Sequence, residues 1–145
     1  METDALIRKV LSEARVIALV GASPKADRPS FGVLRFLQAN GYRVIPVNPG
    51  LAGGMLHGEK VHADLTTISE DVDMIDIFRT SDAVPGVVDE ALARFAGLKS
   101  IWMQIGVIHP QAAAKAQARG VDVVQNRCPV IEIPRLFANS PLSGH

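Results

Sequence analysis

The sequence predicts one α/β domain over residues 1–145: a doubly wound, mainly parallel sheet with helices on both faces. Three observations carry this reading. Val16–Val20 is an unbroken apolar run with no polar alternation, the pattern of a strand covered on both faces. Strand-like and helix-like segments alternate along the chain, which specifies parallel strands joined by right-handed crossovers. The composition is 48% hydrophobic but only 5% aromatic, which suits aliphatic strands sandwiched between helices. A chain of 145 residues is the size of one ordinary domain with a sizeable core.

Each element has a local reason. Thr3 or Asp4 suits the N-cap of a leading helix in which Leu6, Ile7, Val10 and Leu11 recur at helical spacing. Gly21 ends the Val16–Val20 strand, and a polar loop, Ala22–Pro29, carries Lys25 and Arg28. Ser30 reads as the N-cap of a second helix, which buries Phe31, Val33, Leu34, Phe36 and Leu37 and is closed by Gly41. Arg43–Val47 is the second strand, interrupted by Pro46, and runs into the turn Asn48-Pro49-Gly50. Residues 51–71 are glycine-rich and irregular, with a short third strand around Lys60–Val61.

Val72–Phe78 is the fourth strand, ending at Arg79-Thr80-Ser81, and Ser81 or Asp82 caps a helix over about 83–95. Ser100–Gln104 is the fifth strand and leads into Ile105-Gly106. A helix over about 110–119 closes at Gly120, and Val121–Val124 is the last strand. Past Asn126, Cys128-Pro129 precedes a short helix holding Glu132, Arg135 and Leu136, and residues 138–145 read as a frayed tail. No repeat, low-complexity tract or domain boundary interrupts this order.

Composition excludes several function classes. Fifteen basic and fifteen acidic residues cancel, so no overall field draws in nucleic acid or an anionic membrane. No apolar run approaches the roughly 20 residues that span a bilayer. The single cysteine rules out an internal disulfide and a cysteine-rich zinc site, and METDALIRKV is too polar for a signal peptide, so the cytoplasm is the default location. No metal-ligand cluster is visible. His57, His62, His109 and His145 read as solvated or capping residues. Asp73 and Asp76, at odd spacing, point to opposite faces of their strand, and one of them is expected to meet a helix N-terminus.

In a parallel sheet the residues just past the strand ends share one edge, where ligands of such folds bind. Gly21, Ala22, Ser23, Lys25, Arg28, Asn48, Pro49, Arg79, Gln104, Gly106, Asn126 and Arg127 all fall there. Four of these, Lys25, Arg28, Arg79 and Arg127, place a cationic rim in a neutral chain, and guanidinium groups match phosphate oxygens in a bidentate way. A dinucleotide is the first candidate, but its marks are missing. The turn Gly21-Ala22-Ser23 lacks the second glycine of G-x-G-x-x-G, and the second strand ends in Val47-Asn48-Pro49 rather than in an acidic residue for the ribose.

Six ordered pieces carry a resemblance. They are VGAS at Val20–Ser23, RPSFGV at Arg28–Val33, VIPVNPG at Val44–Gly50, VDMIDIFR at Val72–Arg79, WMQIGV at Trp102–Val107 and NRCP at Asn126–Pro129. Over nearly its whole length the chain resembles the small stand-alone CoA-binding proteins, relatives of the CoA-binding N-terminal domain of the succinyl-CoA synthetase alpha subunit. The resemblance implies a Rossmann-like fold with CoA along the carboxyl edge. By that resemblance, Gly21, Ala22 and Ser23 offer donors to phosphate, Lys25 or Arg28 supplies charge, and Ser30 opens the following helix beside them. Val47, Asn48 and Pro49 wall the adenosine, with Phe78 and Arg79 on its other side. Gln104, Ile105 and Gly106 line the pantetheine arm, which leads toward Asn126 and Cys128. A neutral second-strand end also suits CoA, whose ribose carries a phosphate that a carboxylate would repel.

The departures bound the function. The synthetase depends on a phosphorylated histidine in a further domain, which this sequence does not contain, and its NCPG reads NRCP here, with an arginine inserted before Cys128. The expected function is therefore a non-catalytic or regulatory CoA-binding or acyl-CoA-binding protein, with a homodimer or another protein as partner and no catalytic residue assigned. The alternatives are an enzyme or subunit that uses an acyl-CoA, its acyl end near Gln104 and Asn126, and a nucleotide-binding module without CoA preference. Cys128 beside a turn proline reads as structural; the competing reading is a mixed disulfide with CoA.

Overall fold

A computed structural model describes residues 2–138. Helix α1 (Asp4–Glu13) is capped by the Thr3 hydroxyl, which accepts from Leu6 N–H, and leads to strand β1 (Val16–Val20). Helix α2 (Pro29–Ala39) and strand β2 (Arg43–Val47) follow. A two-stranded hairpin, β3 (Met55–Leu56) and β4 (Glu59–Lys60), precedes β5 (Met74–Ile77). Helix α3 (Val84–Arg94), β6 (Ser100–Met103), α4 (Pro110–Ala118), β7 (Asp122–Val124) and α5 (Pro129–Phe137) complete the chain. The five-stranded sheet has order β2-β1-β5-β6-β7 and every pairing in it is parallel.

The expected doubly wound architecture is present, and strand alternation divides its two faces. Ile17 and Leu19 of β1 point to the layer of α1, α2 and α5, with Leu11, Leu34, Leu37, Met74, Trp102 and Ile133. Ala18 and Val20 point to α3 and α4, with Val88, Ala91, Ala113, Ala116, Ile75 and Ile101. Pro46 is tolerated because β2 is an edge strand. Gly41 and Gly120, at φ 92° and 81°, follow α2 and α4 in the left-handed conformation that closes a helix.

Several expectations are corrected, among them the start of α3, where Ala83 rather than Ser81 or Asp82 holds the N-cap position. The short strand near Lys60–Val61 does not join the main sheet: β3 and β4 pair only with each other, and residue 62 touches β2 through one parallel bridge, Val47 to His62. Ser30 is not the N-cap of α2. Arg28 holds that position and Pro29, with its preset φ and missing N–H, takes the first helical place, so Ser30 falls inside the first turn and is buried. Neither aspartate meets a helix N-terminus. Asp73 Oδ2 instead accepts from Arg15 N–H and Val16 N–H, at 2.9 and 3.0 Å, and pins the entry of β1 to β5. His57 is neither solvated nor a cap: its Nε2 is buried without a partner and its ring stands edge-on to Phe31, 4.4 Å between centroids. His109 does cap, accepting from Ala112 N–H at the start of α4. His145 lies outside the described residues, as does residues 139–145 of the tail.

Helix α5 holds Glu132, Arg135 and Leu136 as expected and continues through Pro134. Arg135 holds it, bonding both the buried carboxylate of Glu132 and Asp4 on α1. No helix among the described residues is long and apolar enough to cross a membrane.

Asp76 sits at the centre of β5 between Leu19 and Trp102, fully buried, with both carboxyl oxygens unpartnered. Burial pushes its pKa well above the usual carboxylate value, so the folded chain keeps this proton to higher pH than the unfolded chain. The folded state then binds more protons, and stability falls as pH rises from about the ordinary value of 3.8 toward the folded one. Asp76→Asn removes that loss. Its stability relative to the parent should grow with pH by up to about 1.4 kcal/mol per unit within the window, read by urea unfolding at a series of pH values; curves that run parallel would refute the assignment.

Candidate functional site

The site follows from where the chain changes direction. The segment after β1 crosses to α2 on one face, and the segment after β5 crosses to α3 on the other, although β1 and β5 are neighbours. This divergence opens a crevice at the carboxyl edge of the sheet. A groove of about 880 Å³ occupies it, within the size range of small-molecule sites.

Gly21 makes the crevice sterically feasible. Its φ is 96°, and a Cβ on it would lie 2.3 Å from the Phe78 carbonyl oxygen, so only glycine lets the two diverging segments pass. The Gly21 and Ala22 N–H groups both donate to Val47 O, at 3.0 and 3.2 Å. They are committed within the protein, which corrects the expectation that they offer donors to a phosphate. Asn48 ties the same loops from its side chain, donating from Nδ2 to Ala22 O at 2.7 Å and accepting from Gly50 N–H at 2.8 Å. Ser23 Oγ accepts from Lys25 N–H and shapes the loop before α2.

Twelve of the sixteen candidate residues line this groove: Gly21, Ala22, Ser23, Lys25, Arg28, Ser30, Asn48, Phe78, Arg79, Gln104, Ile105 and Cys128. Val47 and Pro49 line a neighbouring cavity of about 340 Å³, which Arg79 also borders. Gly106 and Asn126 stand outside both. Asn126 Oδ1 accepts from Gly106 N–H at 2.7 Å, so this pair holds the turn after β6 in shape. Sequence reasoning missed Pro24, Pro29, Val33, Gly50, Leu51, Thr80 and Val107, which complete the walls. Apolar wall residues such as Val33 and Leu51 share the pattern of core positions, and no signal in the sequence separates the two.

The electrostatics are one-sided. Lys25, Arg28 and Arg79 are exposed, line the groove and form no ion pair among the described residues. Arg127 departs from the expected rim of four. It pairs with Glu132 at 3.8 Å and borders a separate cavity with Glu2, Ile108, Gln125 and Asn126. Beside Arg79, Asp82 is held below the usual carboxylate range, first by the Thr80 hydroxyl bonded to it and least by Arg79 itself.

The other end of the groove is less polar. Gln104 is 5% exposed and its Oε1 has no hydrogen-bond partner. Ile105 and Val107 lie beside it, and Cys128 is half-buried at the N-cap of α5. No group of three or more His, Cys, Asp or Glu that could hold a metal ion occurs among the described residues.

A family model described as a CoA binding domain matches residues 15–134, which include the whole groove. The chain belongs to this family. The uncharacterized protein YneT of Bacillus subtilis (strain 168) is 33% identical over 126 residues, covering 87% of this chain and 90% of its own. The solved structure of cell-free ID.343 from Thermus thermophilus is 38% identical with a TM-score of 0.86, over 94% of this chain and 100% of that one. A family relationship also reaches a larger enzyme. The dinucleotide-forming acetyl-coenzyme A synthetase 1 of Ca. Korarchaeum cryptofilum, solved with phosphate and ADP, is 26% identical with a TM-score of 0.68. That match covers 83% of this chain but 27% of the synthetase.

The steric role of Gly21 is testable against a second glycine. Gly21→Ala should cost at least about 2 kcal/mol of stability, because strain at positive φ adds to a backbone clash. Gly106 also has positive φ, 86°, but open space around it, so Gly106→Ala should cost about 1 kcal/mol. Denaturant unfolding of the two variants gives the comparison, and equal losses would remove the special role of Gly21.

Proposed function

We propose that this chain binds CoA or an acyl-CoA along the groove and acts as a non-catalytic or regulatory module. The observation that carries the reading is the set of three unpaired cations, Lys25, Arg28 and Arg79, on one groove in a chain of zero net charge. Three exposed cations on one groove offer charge-assisted contacts to an anion, and CoA brings a pyrophosphate and a ribose phosphate. The residues fit the molecule in a second way. The cationic end grades into the wall of Ile105, Val107 and Gln104, where an uncharged arm carrying amide groups finds apolar contact and one free acceptor.

With the Gly21 and Ala22 amides bonded to Val47, phosphate recognition falls to side chains: Lys25, Arg28, Arg79 and the hydroxyls of Ser23 and Ser30. Val47, Pro49 and Arg79, at the neighbouring cavity that Asp64 and Glu90 also line, supply apolar contact and a cation for the adenosine end. Binding is favoured over turnover because the groove lining, among the described residues, holds no carboxylate or imidazole to act as acid or base.

Calorimetry with CoA, dephospho-CoA, acetyl-CoA, NAD and ATP tests this. CoA or acetyl-CoA should bind tightest, and dephospho-CoA weaker because it lacks the ribose phosphate. Arg79→Ala should weaken CoA by about tenfold, the worth of one charge-assisted contact near 1.5 kcal/mol, with unchanged unfolding behaviour. Equal affinity for CoA and NAD, or an unaffected Arg79→Ala variant, would overturn the reading.

A further inference from the structure

Cys128 packs against the core layer of α1, α2 and α5, but helix capping does not account for its thiol. It occupies the N-cap of α5, where a side-chain acceptor ordinarily bonds the first helical amides, yet its side chain makes no such bond. Its backbone carbonyl alone accepts from Ile131 and Glu132 N–H. The thiol is half-buried and lines the groove.

The second observation is Gln104. Arg127 N–H donates to Met103 O at 3.2 Å and Trp102 Nε1 donates to Arg127 O at 2.8 Å, which sets residue 128 alongside the end of β6. Gln104 and Cys128 therefore stand together at one end of the groove. The buried Oε1 of Gln104 lacks a donor, and a ligand amide N–H entering the groove would satisfy it. A molecule that places an amide at Gln104 and ends in a thiol brings its sulfur toward Cys128.

We propose that Cys128 captures the ligand covalently by thiol–disulfide exchange; this rests on the CoA reading above. The co-reactant is a disulfide of the pantetheine thiol. The Cys128 thiol loses its proton to solvent and the thiolate attacks one sulfur of that disulfide. A new bond joins Cys128 Sγ to the bound pantetheine sulfur, the original S–S bond breaks, and the departing thiolate takes up a proton. Cys128 is oxidised as the departing thiol is reduced. Because the chain has one cysteine, no second thiol of its own can resolve the adduct, so it persists until an external thiol arrives. The groove would then hold a thiol ligand under oxidising conditions and release it under reducing ones.

The experiment compares disulfides on the full, reduced chain. CoA disulfide and glutathione disulfide are added at equal concentration, and intact mass is followed in time, with peptide mapping and a final treatment with reductant. Expected is a single CoA adduct on Cys128, reversed by reductant and formed on the order of tenfold or more faster than the glutathione adduct, because binding raises the local concentration of the disulfide. Excess acetyl-CoA, whose sulfur is blocked, should slow the CoA reaction by occupying the groove. Equal rates for the two disulfides, no adduct, or no competition by acetyl-CoA would overturn the inference. Calorimetry with CoA under reductant is run alongside: heat without selective capture sinks covalent capture alone, and no heat sinks the CoA reading itself.

Discussion

The structure depends on how closely two backbones pass at Gly21 and Phe78. Strands β1 and β5 run side by side, yet their continuations must reach opposite faces of the sheet. They separate within a residue of each other because Gly21 has no Cβ and adopts positive φ. Val47 O then gathers the Gly21 and Ala22 amides, and Asn48 holds Ala22 O, so the ends of β1, β2 and β5 are bound into one knot. The mouth of the groove is consequently rigid backbone. The groups left to adapt to a ligand are the side chains on its lip.

That division shapes the chemistry. In glycine-rich dinucleotide sites the loop amides themselves face the phosphates. Here the same amides complete the sheet edge, and charge is supplied by Lys25 and Arg28 from the loop before α2 and by Arg79 from the segment after β5. Charge neutrality of the whole chain matters in this setting. Lys9, Lys115 and Arg135 pair with Asp122, Asp89 and Glu132, whereas the three groove cations form no ion pair among the described residues. Attraction is local and short in range rather than a field over the surface.

Much of this was legible in the sequence wherever a residue's environment is fixed by its near neighbours. Val16–Val20 is a strand with the expected bounds, since burial on both faces demands an unbroken apolar run. Gly41 and Gly120 mark helix ends through a backbone conformation that other residues avoid. What was hidden depends on distant contacts. The β3–β4 hairpin has no alternation long enough to read. The anchoring of α5 to α1 by Arg135, across more than a hundred residues of sequence, has no local sign. Arg127 looks like the other rim cations until Glu132, folded beneath it on α5, claims it. Twelve candidate residues share one groove because a parallel sheet gathers its loops at one edge; Val47, Pro49, Gly106 and Asn126 stand apart because each faces a neighbouring cavity or braces a turn.

The Arg135 anchor has an architectural consequence. It bonds Asp4 at one extremity of the described chain and Glu132 near the other, and Arg8 Nη1 donates to Leu136 O beside it. The first and last helices therefore leave the body from the same corner. A unit whose two ends meet can be spliced into a longer polypeptide without cutting its sheet. The Korarchaeum synthetase carries a similar fold over 27% of its chain.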